Sequence, residues 1–113
     1  MRRFPSIKKN REFQNIYHEA RSYANRLLVM YVKKRDGEGS RIGVSCSKKI
    51  GNSVVRHTVT RRLREIFRLN RERLATGADI IVVVRRNAET ASYQDLEKAY
   101  LELCGRHHII LLN

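Results

Sequence analysis

The sequence predicts a single layered domain of α/β (α+β) class: one sheet sandwiched with helices in the order α-β-β-β-α-β-α. Three observations carry this. Helical and strand periodicities alternate along the chain in short units. The aliphatic run Ile80 to Val84 has the length of one strand and the composition of a strand covered on both faces. The 113 residues, 42% of them hydrophobic, suffice for one core, so residues 1–113 are expected to form one domain without linker, repeat or low-complexity stretch.

Each element has its own signal. Residues 10–20 place Phe13, Ile16, Tyr17 and Ala20 on one helical face, with Asn10 expected as N-cap and Glu12 near the positive end of the helix dipole. A short strand is expected near Tyr23. In strand 27–34, Leu27, Val29 and Tyr31 point one way and Leu28, Met30 and Val32 the other. A DGEGS turn leads into strand 41–46. There Ile42, Val44 and Cys46 share a face, and Gly43, Ser45 and Ser47 form a small, polar face that something outside the core can approach closely. Residues 54–75 are the longest helical pattern. Val55, Val59, Leu63, Ile66, Phe67 and Leu69 gather on one side and Arg61, Arg64, Arg68 and Arg71 on the other. Gly77 is expected just past its C-terminus. Strand 79–84 follows. Ser92 and Asp95 then resemble a capping box before a last helix with Tyr93, Leu96, Tyr100 and Leu103 on its inner face.

Charge narrows the function. The chain carries 24 Lys and Arg against 11 Asp and Glu, a net of +13. Residues 1–73 hold 20 of the basic and 6 of the acidic side chains. A basic excess concentrated this way indicates a polyanion-binding surface. No segment sets a broad apolar face, free of core duty, against a basic one, so a membrane surface is not the expected partner. No apolar run approaches the roughly 18–20 residues of a membrane span. The N-terminus lacks an apolar export segment, so Cys46 and Cys104 are expected to be reduced thiols in a cytoplasmic protein.

Seven arginines between positions 56 and 73 face only two glutamates, too few for a face laced with salt bridges. Guanidinium groups in a row match phosphates along a nucleic-acid backbone. The preceding segment, GVSCSKKIGNSVVR, runs a small, doubly basic loop into the helix N-terminus, where free N–H groups attract anions; it lacks the Walker A spacing. Phe13, Tyr17 and Tyr31 suit either a core or a platform for unpaired bases, and spacing alone favours the core. His18, His57, His107 and His108 form no metal spacing, Cys104 and His107 are half of a site at most, and the carboxylates are scattered. No catalytic and no metal-binding residues are expected on the protein.

SKKIGNSVVRHTVTRRLRE resembles the signature of the bacterial ribonuclease P protein subunit, in which a Ser-Lys-Lys, Gly-Asn run enters an arginine-rich helix. IKKNREFQNIY, ANRLLVMYV, RIGVSCSKKIGN and the SYQDLEKAYLELC helix follow in that family's order, so the resemblance covers nearly the whole chain. It implies an endoribonuclease subunit. A catalytic RNA cuts precursor tRNA with bound Mg²⁺, and the protein, a monomer in the holoenzyme and binding no cofactor tightly, holds the 5′ leader in a cleft. It implies RNA contact by Lys8, Lys9, Lys48, Lys49, Asn52, Arg56, His57, Arg61, Arg62, Arg64 and Arg68. It implies a leader cleft of Phe13, Tyr17, Tyr31, Ser45 and Ser47, and a left-handed β-α-β crossover through the arginine helix. At the helix start this chain departs from the family pattern. His57 stands for an asparagine, and Thr58 and Thr60 for basic residues. A general RNA-binding or chaperone module and a duplex-DNA binder are the competing readings of the same basic face.

Overall fold

The computed structural model describes residues 6–7, 10–35, 39–75 and 77–110. The elements are α1 (Asn10–Glu19), β1 (Arg21–Ala24), β2 (Leu28–Lys34), β3 (Arg41–Ser45), α2 (Ser53–Asn70), β4 (Ala78–Val84) and α3 (Tyr93–Arg106). This is the expected order. The strands form one sheet in the order β1-β2-β4-β3, with β1/β2 and β2/β4 antiparallel and β3/β4 parallel. The parallel pair is joined by α2. Ser6 bridges Ile42, and the Ile7 N–H donates to the Ile42 carbonyl at 2.7 Å, so part of the outer edge of β3 is covered.

The sheet is a true sandwich layer. Strand alternation sends Leu28, Met30, Val32, Ile42, Ile80, Val82 and Val84 to one face, where α2 contributes Val59, Leu63, Ile66 and Phe67, and α3 contributes Leu96, Tyr100 and Leu103. The opposite face carries Tyr31, Ile81 and Val83 against Ile7, Phe13, Ile16 and Tyr17, the smaller core beneath α1. Each fully buried leucine, isoleucine or phenylalanine contributes roughly 1.5–3 kcal/mol. Strand β4 is therefore continuously apolar because both faces of it are covered.

Several local expectations change. Helix α1 begins at Asn10, which is its first residue and not its N-cap. Leu27 lies before β2 and buries in the larger core, away from Val29 and Tyr31. Helix α2 stops at Asn70 and tightens into a 3-10 turn, Arg71–Arg73, so Gly77 belongs to the loop before β4, where its carbonyl accepts the Arg35 N–H at 2.9 Å. Leu69 is 57% exposed and Asn70 only 7%. Asn70 occupies the inner stripe because its polar atoms are satisfied: its Nδ2 donates to the Ile66 carbonyl at 2.9 Å, and its Oδ1 accepts from Arg73 at 3.3 Å. Ser92 caps α3 as expected, accepting the Asp95 N–H at 3.1 Å.

His107, at the end of α3, is buried, and its Nε2–H donates to the Met30 carbonyl at 3.0 Å. Burial lowers its pKa despite that hydrogen bond, and Arg106, Arg21 and Lys34 add repulsion. The unfolded chain therefore takes up this proton at a higher pH than the folded one. The stability is fully present above the ordinary histidine value of about 6.5 and is lost as pH falls through the lowered folded value. Thermal melts between about pH 7 and pH 5 are expected to fall more steeply for the parent than for His107→Gln. Parallel slopes would remove His107 from the acid response.

Candidate nucleic-acid interface

Two surfaces meet at β3. The first is a cleft between α1 and the sheet. Phe13 and Tyr17 come from α1, Tyr31 from β2 and Ser45 from the end of β3, and all four are half-buried. The ring centroids of Phe13 and Tyr17 lie 6.2 Å apart, and Tyr17 meets Tyr31 edge-on at 4.7 Å. The rings pack their inner sides on Ile16 and Ile81 and keep their outer sides accessible. Each ring thus has one side in the core and one side open. Gly43 is the floor: a Cβ there would lie 2.6 Å from the Phe13 ring tip and 3.2 Å from the Ile7 Cβ. Burial pushes the Tyr17 phenol up, only partly countered by the Ser45 hydroxyl beside it, so Tyr17 is a neutral O–H donor.

Arg41 holds this cleft together, a role the sequence did not reveal. On the same sheet face it sits in register with Asp79. Its Nε and Nη2 donate to the two Asp79 oxygens at 2.9 and 3.0 Å, and its Nη1 donates to Glu12 of α1 at 2.7 Å. These hydrogen bonds raise the Arg41 pKa further above its already high value. The guanidinium is thereby committed to fastening α1 across β3 and β4.

The second surface is the outer side of α2. The loop after β3 places Ser47, Lys48 and Lys49 in solvent at a short 3-10 turn. Asn52 caps α2, its Oδ1 accepting the Val55 N–H at 3.0 Å, which accounts for half of its amide. Arg56 folds back so that its Nε donates to the Gly51 carbonyl at 3.2 Å. Thr58 spends its hydroxyl on the Val54 carbonyl. Arg68 is held by both oxygens of Glu65 at 2.6 and 2.9 Å, and this pairing lowers the Glu65 pKa and raises that of Arg68. Arg61 and Arg64 are exposed, and no carboxylate pairs with either among the described residues. The arginines of α2 are therefore graded: Arg61 and Arg64 are open, Arg68 is neutralised and Arg56 is folded onto the loop, while Arg71, expected in the same stripe, lies past the helix end in the 3-10 turn.

His57, Thr60, Arg61, Arg62, Arg64 and Glu65 share a groove of about 560 Å³ with Tyr93, the first residue of α3. Helical spacing assigns Tyr93 to the inner face of α3; it is half-buried and turns one side into this groove. Burial, then Glu97 and Glu65, keep its phenol neutral. Helix crossing brings it there, and no sequence spacing signals that. Lys8 and Lys9 lie outside the described residues.

Among the described residues no group of histidines, cysteines and carboxylates is arranged to hold a metal ion. Among the described residues no helix is long and apolar enough to cross a membrane. Cys104 is buried, and burial pushes its thiol up to about 12, which makes it a poor nucleophile.

The Ribonuclease P family model matches residues 1–108. The Ribonuclease P protein component of Lachnoclostridium phytofermentans is 42% identical over 105 residues, covering 93% of this chain and 90% of that protein. The counterpart from Alkaliphilus metalliredigens is 40% identical over 104 residues, 92% of this chain and 94% of its own. Among solved structures, the RNase P protein of Staphylococcus aureus superposes with a TM-score of 0.87 at 31% identity, covering 96% of this chain and 99% of that one. The RNase P protein from Thermotoga maritima gives 0.82 at 28% identity, covering 89% of this chain and 96% of that one. With a matching fold, a match along almost the whole chain and an arginine-rich helix beside an aromatic cleft, this chain belongs to the Ribonuclease P protein family.

Proposed function

We propose that the chain is the RNA-binding protein subunit of ribonuclease P, in which the partner RNA cuts precursor tRNA and the protein's surfaces are divided between the two RNAs. The outer side of α2, through Arg61, Arg64, His57 and the Lys48–Lys49 loop, takes the catalytic RNA. The cleft of Phe13, Tyr17, Tyr31 and Ser45 takes the single-stranded 5′ leader. One observation carries the reading: three aromatic rings stand half-open in a row on a fixed floor and lead through Ser45 into a basic loop. Rings stack unpaired bases of any sequence, and cations follow the backbone.

Mg²⁺ enters with the RNA. The groove beside α2 is lined by guanidinium, imidazole and hydroxyl groups, and its one carboxylate, Glu65, is occupied by Arg68; such a set repels a hard cation. One protein copy per holoenzyme fits a surface on which Val54 and Leu69 are the exposed large apolar side chains among the described residues. Free Cys46 and Cys104 suit a reducing cytoplasm.

Reconstitution with a bacterial ribonuclease P RNA tests this. The protein is expected to restore precursor cleavage at low Mg²⁺ and to cut nothing alone. Arg61→Ala and Arg64→Ala are each expected to flatten the salt dependence of RNA binding by about one unit with folding intact. Phe13→Ala is expected to weaken leader-bearing precursor by roughly tenfold, within the 1–3 kcal/mol of a lost stack, and to leave mature tRNA unchanged. Equal loss on both substrates would overturn the leader assignment in favour of a general RNA-binding module.

A further inference from the structure

A second basic surface lies at the other edge of the sheet. Strand β1 is the edge strand opposite β3, and α3 packs between this edge and α2. Arg21 and Tyr23 of β1 share the face of β2 that carries Val32, to which Arg21 is paired, and Lys34 shares it by alternation. The end of α3 brings Arg106 and His107 to the same place, and the groove between them has about 590 Å³.

The groove is built and not merely charged. Arg106 lies over the Tyr23 ring at 4.6 Å, and its Nη1 donates to the Ala24 carbonyl at 3.1 Å, which fixes its position. His107 packs edge-on against the same ring at 4.7 Å. Glu19 is the carboxylate at the rim, and Lys33 pairs with it at 3.1 Å. That leaves Arg21, Lys34 and Arg106 exposed and without a carboxylate partner among the described residues. Their fields converge, because all three act on His107 in the same direction. Holding three cations together without a counter-ion works against folding, and an anion in the groove relieves it.

We propose that this β1-edge groove is a further ribose-phosphate binding site, separate from the arginine helix and the aromatic cleft, which lets one small protein hold a third stretch of RNA at the far edge of its sheet. The open trough and the spread of cations along strand and helix end suit a phosphate backbone better than a single enclosed phosphate. Tyr23, packed between Arg106 and His107, keeps the cations fixed and is not the stacking surface.

The test uses Arg21→Ala/Lys34→Ala, both exposed positions, in two arms. One arm titrates the ribonuclease P catalytic RNA with protein; the other titrates the assembled holoenzyme with precursor tRNA. Each is read as log Kd against log salt. The double variant is expected to lose about 1.5–2 units of slope in one arm, with affinity reduced about tenfold and a melting temperature no lower than the parent's, because repulsion among the cations is relieved. Arg21→Lys/Lys34→Arg is expected to restore both. Loss in the first arm places the strand on the catalytic RNA, and loss in the second on the substrate. Parental slopes in both arms, while Arg61→Ala still lowers the slope of the first, overturn the proposal. Equal loss in the charge-preserving variant also overturns it, because the positions would then act through local structure.

Discussion

Replacing Arg41 by methionine is expected to lower the melting temperature by about 10–15 °C. Asp79 is 7% exposed at its side chain and accepts two hydrogen bonds from Arg41. Removing one partner of a buried ion pair strands the other charge, which costs about 3–5 kcal/mol when both are fully buried. Here the penalty is smaller, about 2–3 kcal/mol, because Arg41 is 27% exposed and Arg35 stands 3.5 Å from Asp79 as a second cation. In a domain of this size each kilocalorie moves the midpoint by about 4–6 °C. The double variant Arg41→Met/Asp79→Asn is expected to recover much of the loss, because no charge is then left behind. A midpoint for Arg41→Met within about 3 °C of the parent would show that Asp79 finds water or Arg35 on its own.

The same clamp reaches the cleft through Glu12. That carboxylate is 35% exposed and its pair with Arg41 is worth little in stability, under about 1 kcal/mol. Its value is positional: it ties α1, and with it Phe13 and Tyr17, to the sheet. Glu12→Gln therefore separates the roles, with a nearly parental melt and weaker discrimination between leader-bearing and mature tRNA.

Gly43→Val is expected to be the more severe lesion for substrate. The new Cβ meets the Phe13 ring at 2.6 and 3.0 Å and the Ile7 Cβ at 3.2 Å. Ile7 is held by its own backbone hydrogen bond to Ile42, so it yields little. The Phe13 ring, half-open, swings away. Overpacking costs about 1–3 kcal/mol of stability, but the cleft loses both its floor and its first ring. Binding of leader-bearing precursor is expected to weaken by more than tenfold, exceeding Phe13→Ala, with mature tRNA unaffected. Gly43→Ala should lie between. Parental precursor affinity in Gly43→Val would show that the leader does not cross this floor.

Periodicity reached far into this protein. The two-sided burial of Ile80 to Val84, the inner stripe of Val59, Leu63, Ile66 and Phe67, and the Ser92 cap all follow from spacing, because repeat and burial are local consequences of strand and helix geometry. The small polar face of Gly43 and Ser45 was legible for the same reason, as was the basic excess of residues 1–73. Spacing alone put Phe13, Tyr17 and Tyr31 in a core, and only the family resemblance moved them to a cleft. The structure shows rings packed on one side and accessible on the other, a distinction that no residue pattern encodes.

What the chain determined by itself was therefore the order of its elements, the inward face of each, and a positive charge crowded into its first two-thirds. What tertiary structure decided was which charges remain open. Arg41, Arg56 and Arg68 look alike in sequence to Arg61 and Arg64, yet a buried aspartate, a loop carbonyl and a neighbouring glutamate occupy the first three. Arg21, Lys34 and Arg106, up to 85 positions apart in the chain, become one surface only because β1 lies at the sheet edge and α3 ends beside it. Partner choice for a long charged side chain depends on distances across the fold, and those are set by packing between elements rather than by the sequence within any one of them.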